Sequence, residues 1–313
     1  MIEVVLEPLA LGFFVRALVA SALVGAITAV VGTYVVLRGV AFIGDAIAHA
    51  AFPGVVIGYL LSIPFYLGAA VAAVTTALAI GVVSRRAGIR QDTAIGVLFS
   101  GTFALGVFLF SRIEGYVADL FSFLFGNVLA ISPIDLAGLV LLGVGVLSVV
   151  ALLWKELLYA TFDPLGAGAS GIRVGLLESV FLALVALTIV VSLQAVGIIL
   201  VVAMLVTPAA TAQLISVRFT RLMLTAAVVG TLSAIVGLYL SYWLDVASGA
   251  TIVLVQTGLF LIALALGPRS GLLGRARRRR AAEGGATPGD GPGGRALDGD
   301  PAVTDAAITG VSR

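Results

Sequence analysis

The sequence predicts an all-α, polytopic membrane protein with about 8–9 transmembrane helices, its N-terminus outside and its C-terminus inside. Three observations carry that prediction. Apolar residues make up 61% of the chain and charged residues 11%, where a soluble domain averages about 45–50% and about 25%. The apolar residues are gathered into runs of the ~20 residues that cross a ~30 Å hydrocarbon core. Positive charge falls on alternate connections between those runs, as expected when cytoplasmic loops collect Lys and Arg.

In chain order the runs are residues 17–37, 40–61, 65–84, 93–111, 134–154, 174–192, 195–216, 222–243 and 250–267. Residues 116–131 are apolar but too short to span, and read as an interfacial or re-entrant segment. With nine alternating spans, Arg38, then Arg85, Arg86 and Arg90, then Lys155 and Arg173, then Arg218 and Arg221, and every Arg from Arg269 onward fall on one side. That is 16 of the 18 basic residues, which makes it the inside; only Arg16 and Arg112 fall outside, with Glu3, Glu7, Glu114, Asp119, Asp135 and Asp245.

Two domains follow: residues 1–270 as the transmembrane unit and residues 271–313 as an Arg-, Gly- and Pro-rich cytoplasmic tail, expected to be disordered because it has too little apolar surface to offset ordering entropy. The tail holds seven Arg and five acids and so the whole net charge of +2. The basic excess is therefore not a nucleic-acid-binding face, although the start of the tail suits anionic lipid headgroups. The absence of cysteine excludes a disulfide framework, a thiolate metal site and an iron–sulfur cluster. Glu3 and Glu7 stand where a cleavable signal peptide needs basic residues.

The second run, VAFIGDAIAHAAFPGVVIGYLL, carries Asp45 and His49. An ionisable group within a span costs several kcal/mol and points to function. Four residues apart, the two lie on one face of a helix, one turn above each other. Counted from the inner end of the run, His49 is ~14 Å deep, near the bilayer midplane. A carboxylate and an imidazole suit borderline divalent cations such as Zn²⁺, Mn²⁺ and Fe²⁺. Two ligands are too few for a closed site, and a two-fold homodimer would supply the pair twice. A polar cross-link between helices and a proton relay are the other readings of the pair. Pro53 removes the N–H that would bond the His49 carbonyl, so a bend is expected there, and Pro208 does the same for Met204 in the seventh run. The bend at Pro53 would let the walls of a pathway rearrange, and that at Pro208 suits gating and packing against small residues equally.

Between Lys155 and Arg173 lies TFDPLGAGASGIRV, where Asp163 and Pro164 form an N-cap and N1 pair and Gly168 and Gly171 supply the stop. A short helix on the inner face is expected, though an ordinary capped connection reads the same way. Glu178, one turn inside its span, is expected to snorkel to the interface. The sequence has no GxxxxGK[ST], HExxH or GxSxG, and His49 is its single histidine. The chain is therefore read as a transport subunit and not an enzyme, its energy coming from an ion gradient or from a separate subunit.

The span around Asp45 and His49 resembles the signature segment of the permeases of zinc/manganese/iron-type metal-uptake ABC transporters of bacteria. SFLFGNVLAIS, FDPLGAGASGIRV, SLQAVGIILVVAMLVTPAATAQLIS and GATIVLVQTGLFLIAL are similar to later family segments in the same order, over about residues 11–268. The resemblance implies a homodimeric, occasionally heterodimeric, permease of the bacterial inner (plasma) membrane, served by cytoplasmic ATP-binding subunits and an extracellular metal-binding protein. It implies no permanently bound cofactor, only a transported divalent metal ion, with Asp45 and His49 as its ligands. It also implies that the loop with Phe162, Asp163, Pro164 and Leu165 is the coupling helix that docks into the ATPase. A gradient-driven, proton-coupled cation transporter is the alternative. The small residues after Pro164 and the long tail depart from the family pattern.

Overall fold

The computed structural model describes residues 7–112 and 128–266. Eleven α-helices are used below: α1 (Gly12–Leu37), α2 (Ile43–Leu60), α3 (Phe65–Ala87), α4 (Gln91–Phe110), α5 (Pro133–Leu152), α6 (Trp154–Phe162), α7 (Pro164–Ala169), α8 (Val174–Leu193), α9 (Val196–Ile215), α10 (Phe219–Leu244) and α11 (Ser248–Leu266). Nine of them, all but α6 and α7, are long and apolar enough to cross a membrane, and no strand occurs among the described residues. The predicted all-α class and the larger helix count are both borne out. Most of the proposed 116–131 interfacial segment and the whole 271–313 tail lie outside the described residues; Val128–Ala130 is a single 3₁₀ turn.

Local chemistry explains where the helices begin and end. Ser132 caps α5 through a reciprocal box, in which Asp135 N–H donates to Ser132 Oγ and Ser132 N–H donates to Asp135 Oδ2, both at 3.2 Å, with Pro133 at the first position. At the end of α3, Gly88 takes a left-handed conformation, φ 64°, open to glycine without steric cost.

The turn between α1 and α2 differs from expectation. The apolar run starting at Val40 is not helical until Ile43. Gly39, φ 73°, turns the chain, and Val40 N–H and Ile43 N–H close successive turns on the Val35 and Val40 carbonyls.

The predicted break near residue 193 is a reversal at Gly197. Helix lies on both sides of this point between Val174 and Ile215, but Gly197 has φ 79° and ψ 169°, a conformation essentially restricted to glycine. Phe181 packs on Tyr34 with ring centroids 6.2 Å apart, while the Leu205 backbone lies against Gly32. Both neighbours are within a turn of each other on α1, yet a straight helix would hold Phe181 and Leu205 about 36 Å apart. The chain therefore folds back on itself there, and α8 and α9 are separate spans.

Helices α1, α2, α8 and α9 form the interior, and small residues make it possible. A Cβ on Gly32 would strike the Leu205 carbonyl, one on Gly54 the Gly68 carbonyl, and one on Gly25 would lie 2.7 Å from the Gly230 carbonyl oxygen. Close backbone approach of this kind is how helices associate where lipid removes the hydrophobic incentive. The ends of the bundle differ in charge. At one end Arg38, Arg85, Glu178 and the Trp154–Phe219 pair meet. At the other, Phe14 stacks edge-on against Tyr239 and Tyr242, and Arg16 Nε donates to the Ile131 carbonyl at 3.1 Å.

Candidate functional site

The first two turns of α2 hold Asp45 and His49 together. Because α2 starts at Ile43, Asp45 is in its first turn and His49 is only about 9 Å along the axis. The pair thus sits in the first half of the helix, toward its arginine-rich end. That position suits a carboxylate, since unpaired N–H groups and the helix dipole favour negative charge there. His49 Nδ1 lies 2.9 Å from the Asp45 carbonyl oxygen and 3.4 Å from Asp45 Oδ1. A carbonyl oxygen can only accept, so Nδ1 donates to it, and in a neutral imidazole the Nε2 lone pair is then left for a ligand.

The imidazole is held edge-on between Phe99 and Phe103 of α4, at centroid distances of 5.5 and 5.6 Å. The side chains of His49 and Asp45 are nevertheless 23% and 44% exposed, whereas Ala46, Ile47, Ala48 and Ala50 between and beside them are buried. The pair is therefore offered on an uncovered face of α2. Among the described residues no cluster of three or more His, Cys, Asp or Glu could hold a metal ion, and Asp45 and His49 are a pair.

Pro53 is one turn further along α2, packed against α4, where a Cβ on Gly106 would meet Pro53 Cδ at 3.1 Å. A mainly apolar cavity of about 380 Å³ begins there, between α2, α3 and α4, with Gly54, Thr75, Thr76, Thr102 and Leu105 in its wall. The backbone stays helical through both Pro53 and Pro208. The non-helical residue of the later segment is Gly197, to which the sequence reading assigned no role, because nothing local distinguishes it from the other glycines.

The coupling candidate folds as its end signals predict. Asp163 Oδ1 accepts from Gly166 N–H at 2.8 Å, Pro164 opens α7, and Gly171, φ 87°, ends it. Ala167 is buried and anchors the helix, while Phe162 and Leu165 are 65% and 87% exposed. Two large apolar side chains thus project from the arginine-rich end.

Two features of that end were not predicted. Glu178 does not simply reach for water: Arg85 donates to it at 2.8 Å and also to Ser179 Oγ at 3.2 Å. Arg38, seen in sequence only as one inside charge, donates from Nε to Thr161 Oγ1 at 3.1 Å and places its guanidinium 4.1 Å from the Phe181 ring centroid. Burial pulls its pKa below the usual arginine value, with Glu178 and then Tyr34 opposing. Nothing in the sequence marks Thr161 or Phe181 as its partners.

Residues 10–267 match the model of the ABC 3 transport family. The chain is 46% identical over 280 residues to the manganese transport system membrane protein MntC of Halalkalibacterium halodurans, covering 89% of this chain and 96% of that one. It is 40% identical to the chelated iron transport system membrane protein YfeD of Yersinia pestis, over 82% of this chain and 86% of the relative. Among solved structures it superposes on a chain of PsaBC from Streptococcus pneumoniae in complex with Fab, with a TM-score of 0.78 and 35% identity, covering 88% of this chain and all of that one. With nine apolar helices and relatives of this kind, the protein is a multi-pass bacterial membrane protein, and the chain belongs to the ABC 3 transport family.

Proposed function

We propose that this chain is the permease subunit of an ABC importer that moves a divalent transition-metal ion, such as manganese, iron or zinc, into the cytoplasm, with ATP hydrolysed by a separate subunit. The observation that carries the reading is the Asp45–His49 pair, a carboxylate and an imidazole 3.4 Å apart on an uncovered face of an otherwise buried helix. The relatives named for manganese and iron transport support the choice of cargo. A two-ligand surface is half of a four-ligand site, which supports a homodimer in which each copy supplies Asp45 and His49.

Orientation follows from the charge distribution: the arginine-rich end is cytoplasmic, with the N-terminus outside. Phe162, Asp163, Pro164 and Leu165 dock the ATPase there. The exposed Phe162 and Leu165 supply apolar anchors, and the Asp163 cap keeps α7 rigid enough to transmit a push. On the other side an extracellular metal-binding protein delivers the ion.

Uptake of radiolabelled Mn²⁺ into proteoliposomes tests the reading. Uptake should require the ATPase, ATP and the metal-binding protein together. Uptake by the permease alone down an imposed proton gradient would establish the proton-coupled alternative instead.

A further inference from the structure

The segment that surrounds α7 is gripped on both sides by arginines ending the helices that flank α2. Before α7, Thr161 donates its hydroxyl proton to the Leu157 carbonyl at 2.6 Å, so its remaining lone pairs accept from Arg38 Nε at 3.1 Å. After α7, the early turns of α8 present Phe181 to the Arg38 guanidinium and Glu178 and Ser179 to Arg85. Arg85 is in the last turn of α3, and Arg38 is the C-cap of α1.

The path from Arg38 to the ligands is short and hydrogen-bonded throughout. Arg38 N–H bonds the Tyr34 carbonyl, Val40 N–H the Val35 carbonyl, Ile43 N–H the Val40 carbonyl and Ala46 N–H the Phe42 carbonyl. Asp45 lies within that last ring. A displacement of Arg38 therefore moves the start of α2 instead of being absorbed in a slack loop. Arginine suits this position because its planar fork donates along one edge while its face stacks on an aromatic ring, which the point charge of lysine cannot do together.

We infer that Arg38 is a positioning residue for transport, tying the ATPase-docking segment, through Thr161 and Phe181, to the helix that carries Asp45 and His49. The inference rests on the reading that Phe162 to Leu165 dock the ATPase. Motion imposed on α6 and α8 then reaches the start of α2 by way of the Arg38 guanidinium, in addition to the packing between these helices.

Arg38→Gln, Thr161→Val and Thr161→Ser, reconstituted with the ATPase and metal-binding protein, provide the test. The readouts are ATP hydrolysis and Mn²⁺ transported per ATP. Hydrolysis should stay within about twofold, while Mn²⁺ per ATP falls at least about tenfold in Arg38→Gln and by a few fold in Thr161→Val. Thr161→Ser, which keeps the accepting oxygen, should match the parent. An unchanged ratio in Arg38→Gln and Thr161→Val, including one in which both rates fall in proportion, overturns the inference. Should Arg38→Gln fail to insert, the valine–serine contrast at Thr161 decides alone: equal ratios overturn it. Leu165→Asp separates the underlying reading, since an ATPase that stays bound to that variant refutes docking and the inference with it. Loss of the ATPase from Leu165→Asp with an unchanged ratio in the other variants refutes the inference only.

Discussion

Helix α2 is the least apolar of the nine candidate spans among the described residues, yet 72% of it is buried inside the protein, against 22% of an 18-residue stretch of the strongly apolar α5. The order is the reverse of that in a water-soluble core. Lipid is as good a neighbour for leucine as protein is, so apolarity alone does not draw a helix inward. Small residues and polar groups do. α2 carries Gly44, Ala46, Ala48, Ala50, Ala51, Gly54 and Gly58 among its buried residues, whereas α5 turns Leu141, Leu142 and Val144 outward. The helix with the largest buried share is also the one that carries Asp45 and His49.

Changing those groups should have the largest effect. Asp45→Asn and His49→Ala are each expected to abolish Mn²⁺ uptake in the reconstituted system, with membrane insertion and ATPase retention unchanged. The basis is that a carboxylate and an imidazole within a span cost several kcal/mol that a bound dication offsets. Parent-like uptake by either variant at matched expression would reduce the pair to a contact within α2 and remove the reason offered for burying that helix.

Next in size is a packing contrast. Gly32→Val places a side chain on the Leu205 backbone, and should cost about 3 kcal/mol or more, read as a lowered melting temperature in detergent or loss of the protein from the membrane. A Cβ on Gly145 in α5 would meet nothing within 4 Å, and Gly145→Val should change stability by no more than about 0.5 kcal/mol. Equal losses at the two sites would mean that α5 is packed as tightly as α1, and the contrast between interior and peripheral helices would fail.

The smallest effect is expected from deleting residues 271–313. Truncated protein that inserts normally should retain uptake to within about twofold, because a segment without a core removes no packing when it is lost. A loss beyond about tenfold, equivalent to about 1.4 kcal/mol, would give the tail a role in transport.

Much of the site was legible because its geometry is local. Residues four apart share a helical face wherever the helix begins, so Asp45 and His49 could be paired by counting, and the Asp163–Pro164 start of α7 is written within a few residues. The start of α2 is harder to read for a related reason. Val40, Ala41 and Phe42 are as apolar as the helix that follows, and hydropathy does not distinguish a hydrogen-bonded turn from a first helical turn. Glu178 was read without Arg85 and Arg38 without Thr161, because those partners are 93 and 123 residues away in the chain.

By itself, then, the sequence determined the class of the protein, the apolar runs that become its spans, the one face that carries a carboxylate and an imidazole, and the capped turn between α6 and α8. Each depends on apolar run length, on charge or on spacings within a few residues, and short-range sterics and solvation act on those directly. Tertiary structure alone decided that Gly197 reverses the chain while Pro53 and Pro208 stay helical, that the least apolar span lies innermost, and that Arg38 at the end of α1 meets Thr161 of α6 and Phe181 of α8. Those outcomes depend on which backbones approach closely enough to exclude a side chain, and that is a property of pairs of helices distant in the chain.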